Sequence, residues 1–534
     1  MSASLLLIVA ILVLGCAYHW HGRFLVKKLD INPNHTTPAH QLGDGVDYVP
    51  ARRSVLIGHH FASIAGAGPI LGPIYAAVFG WAPVFAWIIL GVIFIGGVHD
   101  FTSLVASIRH QGKSIGEVIE EYIGRSGKIL FLIFTWFMLI LVIAVFAKAV
   151  ASTFVKTPAS ATSSVFFIFL ALVFGMSIYR WKVPLGWASV FGVILLWVGI
   201  FLGNAFPLPL EHNTWLWILF GYVFVASVTP VWILLQPRDY LNSFLLYFVM
   251  IGGLAGIFVT NPKIAMPAVT SFNTDLGMMF PILFVTVACG AISGFHSLVA
   301  SGTTAKQLNT ETDAKAVGYG SMLIEAVLAV VALIAAITLT QGDYQTMLTK
   351  TGGGPITIFA NGIGSFMATL GIPLNAAVTF SALAISAFAL TSLDTATRLA
   401  RFSFQELFSD GKLAFLGKNR YMATTVTVLV AALLTFSEKS STIWPLFGAA
   451  NQLLAAMALL AVTVWLAKLG KKNNFVKIPM VFMLLVTLLA LITLIYQNWV
   501  KQNFALSILG VILFVVAIVL VWQAKRSLKK ERAK

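Results

Sequence analysis

Long apolar runs follow one another along nearly the whole of this 534-residue chain. About fifteen of them are long enough to cross a hydrocarbon core of roughly 30 Å as helices. Hydrophobic residues make up 59% of the chain and charged residues 10%, which predicts an all-α polytopic membrane protein rather than a water-soluble domain. The predicted spans are 3–20, 57–80, 83–108, 129–153, 163–179, 183–203, 214–235, 240–260, 278–300, 316–340, 374–396, 421–437, 442–467, 477–497 and 503–523.

The basic residues are distributed unevenly between the loops that join these spans. If the amino terminus lies outside, 29 of the 35 lysines and arginines fall in cytoplasmic loops and the tail. Because cytoplasmic loops carry an excess of basic residues, we predict an outer amino terminus and a cytoplasmic carboxyl terminus. The net charge of +16 then reflects orientation and contact with anionic lipid, and we expect no nucleic acid as a partner.

A weaker apolar stretch at 355–371 is left out of this map. Its glycines and polar residues favour a re-entrant or surface-lying segment over a full crossing. Counting it as a crossing would place every later basic loop outside, against the charge distribution.

The second predicted span contains a stretch that should break its own helix, "AGAGPILGP" at 65–73. Unwound backbone has polar groups that lipid cannot satisfy, so such a break survives only beside protein or water. Broken helices in secondary transporters bind solutes and ions near the middle of the membrane, whereas small residues can also serve close helix packing. We predict a solute site here. Its residues are His59, His60, Gly66, Gly68, Pro69, Gly72 and Pro73.

Five sequence motifs together resemble the carbon starvation protein A family. The resemblance implies a bacterial inner-membrane secondary transporter that imports peptides or pyruvate by proton symport when preferred carbon sources run out. This chain is shorter than the larger family members, so peptide and pyruvate both stay open as its solute. The motifs are "GHHFASIAGAGPILGP" at 58–73, "GGVHDF" at 96–101, "QPRDYLNSF" at 236–244, "SGFHSLVASGTT" at 293–304 and "TSLDTATRLARF" at 391–402.

A fold built from inverted repeats requires a second broken helix. We predict it in the seventh span, where Pro230 and Pro237 interrupt "SVTPVWILLQPRDY" at 227–240. The second to sixth spans would then form one repeat and the seventh to eleventh its inverted partner, an arrangement that resembles the amino-acid and sodium symporter superfamily. The predicted units are a first helix and basic loop (1–54), two repeats (55–203 and 204–420), and accessory helices with a basic tail (421–534).

The ninth span should be the third helix of the second repeat and line the central cavity. It is unusually rich in hydroxyl and imidazole groups for a membrane span. These groups belong to Ser293, His296, Ser297, Ser301, Thr303 and Thr304. All of them except Ser301, together with Thr229 of the seventh span, are predicted to bind the solute.

Ionisable side chains at the ends of and within the spans are candidates for carrying a coupling proton. His99 and Asp100 are neighbours and can hold or relay a proton, although Asp100 can instead form an ion pair with Arg109. Glu325 is flanked by apolar residues and would be neutral unless it is paired.

Asp394 is the other carboxyl candidate for proton coupling. It lies near the inner end of the eleventh span, and Arg398 follows four residues later. Residues at this spacing are neighbours on a helix, so Asp394 is either the proton acceptor or the partner of Arg398 in an ion pair.

Motifs for other chemistry are not found in the sequence. Neither a Walker loop nor an HExxH motif occurs, and Cys16 and Cys289 both lie in apolar runs. The adjacent His59 and His60 point about 100° apart on a helix and cannot easily ligate one metal. We expect no cofactor, no bound metal and no enzymatic activity. The alternatives are a metal- or haem-containing membrane enzyme, a passive channel and a sodium-coupled carrier of another small organic solute.

The last four spans contain few charged residues. Asn451 and Gln452 are the main polar residues of "WPLFGAANQLLAAMAL" at 444–459, and such amides form hydrogen bonds between helices. We assign this region to a scaffold or to contacts with a second copy in a homodimer.

The charge distribution generates a prediction about topology. Single cysteines introduced at the amino terminus and after Lys534 should react with an impermeant maleimide from opposite sides of the membrane. Labelling of both positions from one side would contradict a map with an odd number of crossings.

Overall fold

The computed structural model describes residues 2–44, 48–230, 233–349, 353–408, 414–437 and 440–532. Within these ranges, 12 helices are long and apolar enough to cross a membrane, and a bent helix pair raises the number to 13. The chain is therefore an all-α polytopic membrane protein, as predicted.

The first half of the chain forms twelve helices. A π-helical turn at Val92–Gly96 joins the fifth helix to the sixth. The helices are α1 (Ala3–Lys28), α2 (Pro38–Gln41), α3 (Arg53–Ile64), α4 (Gly68–Ala76), α5 (Trp81–Gly91), α6 (Gly97–Arg109), α7 (Ile115–Ile123), α8 (Arg125–Lys156), α9 (Pro158–Tyr179), α10 (Leu185–Ala205), α11 (His212–Val228) and α12 (Leu235–Thr260).

The second half begins with a small hairpin of β1 (Asn273–Thr274) and β2 (Gly277–Met278). A second π-helical turn, Lys315–Gly320, precedes the fifteenth helix. The helices are α13 (Met279–Thr286), α14 (Phe295–Gly302), α15 (Ser321–Ile337), α16 (Gln341–Leu348), α17 (Gly354–Ala368), α18 (Leu374–Leu407), α19 (Ala414–Lys418), α20 (Arg420–Ser437), α21 (Ser440–Lys468), α22 (Asn474–Val500) and α23 (Phe504–Arg532).

Each of the fifteen predicted spans coincides with helix in the structure, but a count of fifteen crossings is not confirmed. The seventh span, α11, has only 17 residues. The ninth consists of α13 and α14, which have eight residues each and are separated by non-helical backbone. These two spans are shorter than a continuous membrane-crossing helix of about 20 residues.

The predicted break in the second span is present and is shorter than expected. The chain bends by 48° between α3 and α4, and only residues 65–67 leave the helix. Pro69 lies in the first turn of α4, where a missing N–H costs no helical hydrogen bond. Gly72 and Pro73 lie inside α4.

The second broken helix is the ninth span and not the seventh, so the prediction at 227–240 is wrong. Pro230 follows the end of α11, and Pro237 is in the first turn of α12, so both prolines mark helix ends. The unwound residues are 287–294, between α13 and α14. Because α3 packs against α14 and α4 against α13, the two broken helices run antiparallel.

Pairs of helices in the two halves make corresponding contacts. The two longest helices, α8 and α18, have 32 and 34 residues and pack against each other, and α11 and α20 each contact both. A π-helical turn follows each broken helix in the next apolar segment. These contacts favour a division between α12 and α13 over the predicted one at residue 204, with α9 and α10 as an inserted hairpin.

The segment at 355–371 corresponds to α17, a helix of 15 residues. Its length of about 22 Å is less than the thickness of the hydrocarbon core. One face packs against α12, α15 and α18. Whether it enters the membrane stays a prediction.

The helix α21 is central and not accessory, contrary to the assignment of 421–534. Every residue of its most apolar window is buried, and it packs against α6, α8 and α13. By contrast, about half of each corresponding window in α22 and α23 is exposed. The backbones approach closely at Gly448, where a Cβ atom would collide with the carbonyl oxygen of Val285 in α13.

Gly448→Val should therefore lower the free energy of unfolding by about 1–3 kcal/mol, because the added side chain would push α21 away from α13. Gly221→Val is the matched control, since a Cβ atom at Gly221 has no neighbour within 4 Å. Thermal unfolding of the two purified variants in detergent measures the difference. Equal melting temperatures would contradict the close packing of α21 on the broken helix.

Candidate functional site

A small cavity lies where the two broken helices meet. Its volume is about 20 Å³, which is room for one water molecule. The described conformation is therefore closed around the site, and a solute can enter only after the surrounding helices move apart. The lining residues are Ile64, Gly66, Gly68, Val142, Phe146, Cys289, Ser293, Phe295, Ser392, Phe447 and Asn451.

The glycines of the first break allow the helices to approach. A Cβ atom on Gly68 would lie 2.7 Å from the Cβ atom of Cys289 in the second break. A Cβ atom on Gly66 would collide with the Ser392 hydroxyl of α18. Side chains at these two positions would occupy the cavity, which is a physical reason for glycine beyond helix breaking.

Asn451 of α21 satisfies polar groups that the second break leaves unpaired. Its Oδ1 accepts from the backbone N–H of Phe295 at 3.0 Å, and its Nδ2 donates to Ser293 Oγ at 3.0 Å. Its own carbonyl accepts from the Gly294 N–H at 3.0 Å. Gln452 beside it donates to the carbonyl of Phe284 at 2.7 Å. The unwound segment is therefore stabilised from α21.

A chain of ionisable side chains lies next to this break. Asp100 of α6 has one carboxylate oxygen 2.8 Å from His99 Nδ1 and the other 2.9 Å from His296 Nδ1. The other ring nitrogen of His296, Nε2, lies 3.5 Å from Glu325 Oε2 of α15. All four side chains are fully buried, to within 1%. We call this set the His–Asp–Glu cluster.

Two further imidazoles lie beside this cluster, the fully buried His60 and the half-buried His59. The Nδ1 atom of His60 is 2.8 Å from the hydroxyl of Thr304, just beyond α14. Among the described residues, the Nε2 atoms of both histidines have no hydrogen-bond partner, and neither do the carboxylate oxygens of Glu325. Buried polar atoms of this kind are costly unless they bind water, a proton or a ligand.

Of the two alternatives for Asp394, the ion pair with Arg398 is not formed in the structure. Asp394 pairs instead with Arg238 of α12, and it accepts a hydrogen bond from the Tyr222 hydroxyl at 2.8 Å. Arg398 donates to the carbonyls of Ala226 and Thr229 at the end of α11. Helix neighbours can form a pair, but here the two side chains have partners on other helices.

The alternative pair between Asp100 and Arg109 is also not formed. Arg109 pairs with Glu311, in the loop after α14, and Asp100 is held by the two histidines. Asp100 and Arg109 lie nine residues apart, at opposite ends of α6.

The predicted solute-binding residues fall into three groups. Gly66, Gly68 and Ser293 line the cavity. The second group lies beside the cavity and consists of the buried His60, His296 and Thr304 and the half-buried His59. The remaining residues are Pro69, Gly72, Pro73, Ser297, Thr303 and Thr229, which are not among the lining residues.

The third group has structural contacts. Gly72 lets α4 approach α13, where a Cβ atom would lie 2.8 Å from the carbonyl of Thr286. The hydroxyls of Ser297 and Thr303 donate to carbonyls of Gly294 and Val299, at 2.7 and 3.0 Å. Thr229 donates to Val225 at 2.7 Å, at the end of α11.

Sequence reasoning missed several lining residues. Asn451 carried a usable signal, since it is an amide in an otherwise apolar run. Ser392 also lies in a motif, two residues before Asp394. Cys289, Phe146 and Phe447 are apolar or weakly polar residues in apolar helices, so composition alone does not distinguish them from the packed core.

The model of the family described as carbon starvation protein CstA matches residues 2–353 and 345–490. The chain belongs to the carbon starvation protein CstA family. Together with the closed cavity between two broken helices, this membership identifies it as a secondary transporter.

Curated relatives of this CstA-family transporter carry two kinds of name. A peptide transporter CstA of Campylobacter jejuni is 35% identical, covering 91% of this chain and 79% of the relative. A peptide transporter CstA of Escherichia coli K12 is 32% identical, covering 92% and 80%. The pyruvate/proton symporter BtsT of Escherichia coli K12 is 32% identical, covering 92% and 81%.

A solved structure has a similar fold. The manganese transporter of Eremococcus coleocola, in complex with an aromatic bis-isothiourea compound, aligns with a TM-score of 0.55 at 10% identity. The alignment covers 91% of this chain and 99% of that one. At this identity the likeness concerns the fold alone, and it confirms the predicted all-α membrane architecture.

Asn451→Ala should leave the Phe295 N–H unpaired and lower the free energy of unfolding by about 1–3 kcal/mol. We expect transport to fail in parallel, because Ser293 loses its donor. Asn498→Ala is the matched control, since the Asn498 amide donates to Leu494 of its own helix at 2.8 Å and accepts from the nearby Asn503 at 3.4 Å, away from either break. Thermal unfolding and uptake of labelled solute test both variants. Equal behaviour would mean that Asn451 does not support the break.

Proposed function

We propose that this transporter imports a small carboxylate, with pyruvate as the first candidate, by symport with protons. The observation that carries the proposal is the position of Asp100 between two histidines, next to the second break. His296 lies in the first turn of α14, and Ser293 of the cavity precedes it by three residues. Binding of a proton to the cluster would therefore change the charge of the cluster within one helical turn of the proposed solute site.

The arrangement of the cluster supports proton coupling over sodium coupling. Its members are imidazoles and carboxylates, which bind and release protons near neutral pH when their surroundings change. Protonation of the cluster would favour one arrangement of α6, α14 and α15, because Asp100 and Glu325 approach His296 from two different helices. If the preferred arrangement of these helices depends on protonation of the cluster, proton binding is linked to movement of the broken helix.

Asp394 is a weaker candidate for the coupling proton. It already has Arg238 as a charged partner and Tyr222 as a donor. The guanidinium of Arg238 is a permanent cation, so this carboxylate has a fixed charged partner. We assign this pair to holding α12 against α18.

The lining of the cavity supports a small carboxylate. Its polar groups among the described residues are the hydroxyls of Ser293 and Ser392, the thiol of Cys289 and the amide of Asn451. These groups and nearby helix amino-terminal ends suit an anion. None of the lining residues carries a carboxylate to bind the ammonium group of a peptide. Peptides remain the second candidate, because several relatives are named peptide transporters.

We further propose the bacterial inner membrane as the location, with the amino terminus outside and the carboxyl terminus in the cytoplasm. The excess of basic residues in the loops assigned to the cytoplasm supports this orientation. A role in the carbon starvation response follows from the family, and assembly as a homodimer stays a prediction.

Proteoliposomes containing the protein should accumulate labelled pyruvate when an inward proton gradient is applied. A protonophore should abolish the accumulation, and an inward sodium gradient should not replace it. In counterflow, internal unlabelled pyruvate should drive uptake of the label, whereas dipeptides should not. Asp100→Asn should lose accumulation because the central carboxylate of the cluster is removed. Asp275→Asn, in an exposed loop, is the matched control.

Three results would contradict parts of the proposal. Accumulation driven by a sodium gradient would contradict proton coupling. Counterflow driven by dipeptides would show that the solute is a peptide and not pyruvate. Flux that does not saturate and ignores the gradient would indicate a channel.

A further inference from the structure

We propose that a row of buried hydroxyls on α6 carries the proton between the His–Asp–Glu cluster and the membrane face that bears Arg109 and Lys113. The inference rests on the proposed proton coupling and adds a route to it. The row consists of Ser103 and Ser107, which follow Asp100 along α6.

The spacing places these side chains on one face of the helix. Asp100, Ser103 and Ser107 are separated by three and four residues, which are neighbours on a helical surface. All three are fully buried. From Asp100 to Ser107 the helix rises by about 10 Å, so the hydroxyls span the distance from the cluster to the end of α6.

The same face packs against α14. Asp100 contacts His296 of α14 at 2.9 Å, and Ser107 Oγ lies 3.4 Å from the carbonyl oxygen of Ser301 near the other end of that helix. Ser103 lies between these two contacts on α6. The hydroxyl of Ser103 therefore faces the interface between α6 and α14, the two helices that supply Asp100 and His296 to the cluster.

Ser103 differs from the other buried serines of this interface. The hydroxyls of Ser297 and Ser301 donate to carbonyls of their own helix, at 2.7 and 2.6 Å. The Oγ atom of Ser103 is buried and has no hydrogen-bond partner within the described chain. A hydroxyl both donates and accepts, so with bridging water it can pass a proton along the row.

The row ends at the surface of the protein. Ser107 Oγ donates to the carbonyl of Lys113 at 2.8 Å, across the turn that follows α6. Gln111 and Lys113 in this turn are exposed. In the proposed orientation this face is cytoplasmic, where a symporter that imports its solute must release its proton.

The other residues of this part of α6 do not offer a route. Leu104, Val105, Ala106 and Ile108 are buried and apolar. The buried hydroxyl of Thr102, two residues from Asp100, donates to the carbonyl of His99 in its own helix at 3.4 Å. A purely structural role would satisfy each hydroxyl with a backbone carbonyl, and Ser103 lacks such a bond.

The test compares Ser103→Val with Ser103→Thr, because valine and threonine have nearly the same shape and differ by one hydroxyl. Net uptake of labelled pyruvate under a proton gradient requires proton release in every cycle, whereas counterflow exchange does not. We expect Ser103→Val to slow net uptake about tenfold, which corresponds to about 1.4 kcal/mol in a barrier. Counterflow should stay near that of the unaltered protein, and Ser103→Thr should keep both rates.

Thr135→Val is the off-path control, since its hydroxyl is also buried without a hydrogen-bond partner but lies on α8. It should leave the ratio of net uptake to counterflow unchanged. Equal ratios in Ser103→Val and Ser103→Thr, or loss of both activities in Ser103→Val alone, would overturn the proposed route. Absence of proton-driven uptake in the unaltered protein would instead reject the proposed coupling. If the unaltered protein exchanges dipeptides and not pyruvate, the same comparison is made with the dipeptide.

Discussion

Backbone polar groups that leave a helix inside a membrane must find partners in the protein, and the centre of this structure depends on that requirement. Residues 287–294 are unwound, and lipid offers them no hydrogen bonds. The helix α21, which is buried from residue 443 to residue 466, lies against them and supplies Asn451 and Gln452. The glycines at 66 and 68 let the first broken helix approach closely enough to complete the enclosure. The small cavity is thereby enclosed by backbone that has no other stable place in a bilayer.

The same requirement accounts for the position of the ionisable residues. A charged side chain within a membrane span is costly unless it is paired, and it is usually functional. This chain places Asp100 between two histidines and Asp394 beside Arg238. The two carboxylates nevertheless differ. Asp394 has a permanent cation as its partner, whereas Asp100 is bound by groups that can lose or gain a proton. The His–Asp–Glu cluster beside the break can therefore change its charge, whereas the pair of Asp394 and Arg238 is suited to holding α18 against α12.

Several features could be predicted from the sequence because they depend on local composition. Transfer of an apolar segment into lipid depends on its own residues, so the helical spans followed from hydropathy. The first break followed from glycine and proline, whose effects on the backbone are local. The choice of His99, Asp100, His296 and Glu325 as polar groups of interest rested on their rarity in apolar runs, and the structure brings these four together.

By itself the sequence determined the all-α membrane architecture, the first broken helix and the set of polar residues within the spans. The tertiary structure decided which of these residues meet. Asp100 and His296 are 196 positions apart, and Asp394 and Arg238 are 156 apart, so no helical spacing relates them. Spacing along one helix instead suggested Arg398 and Arg109 as partners. The central place of α21 was also decided by packing, because a helix that is apolar on all sides can face either lipid or protein, and only its neighbours distinguish the two.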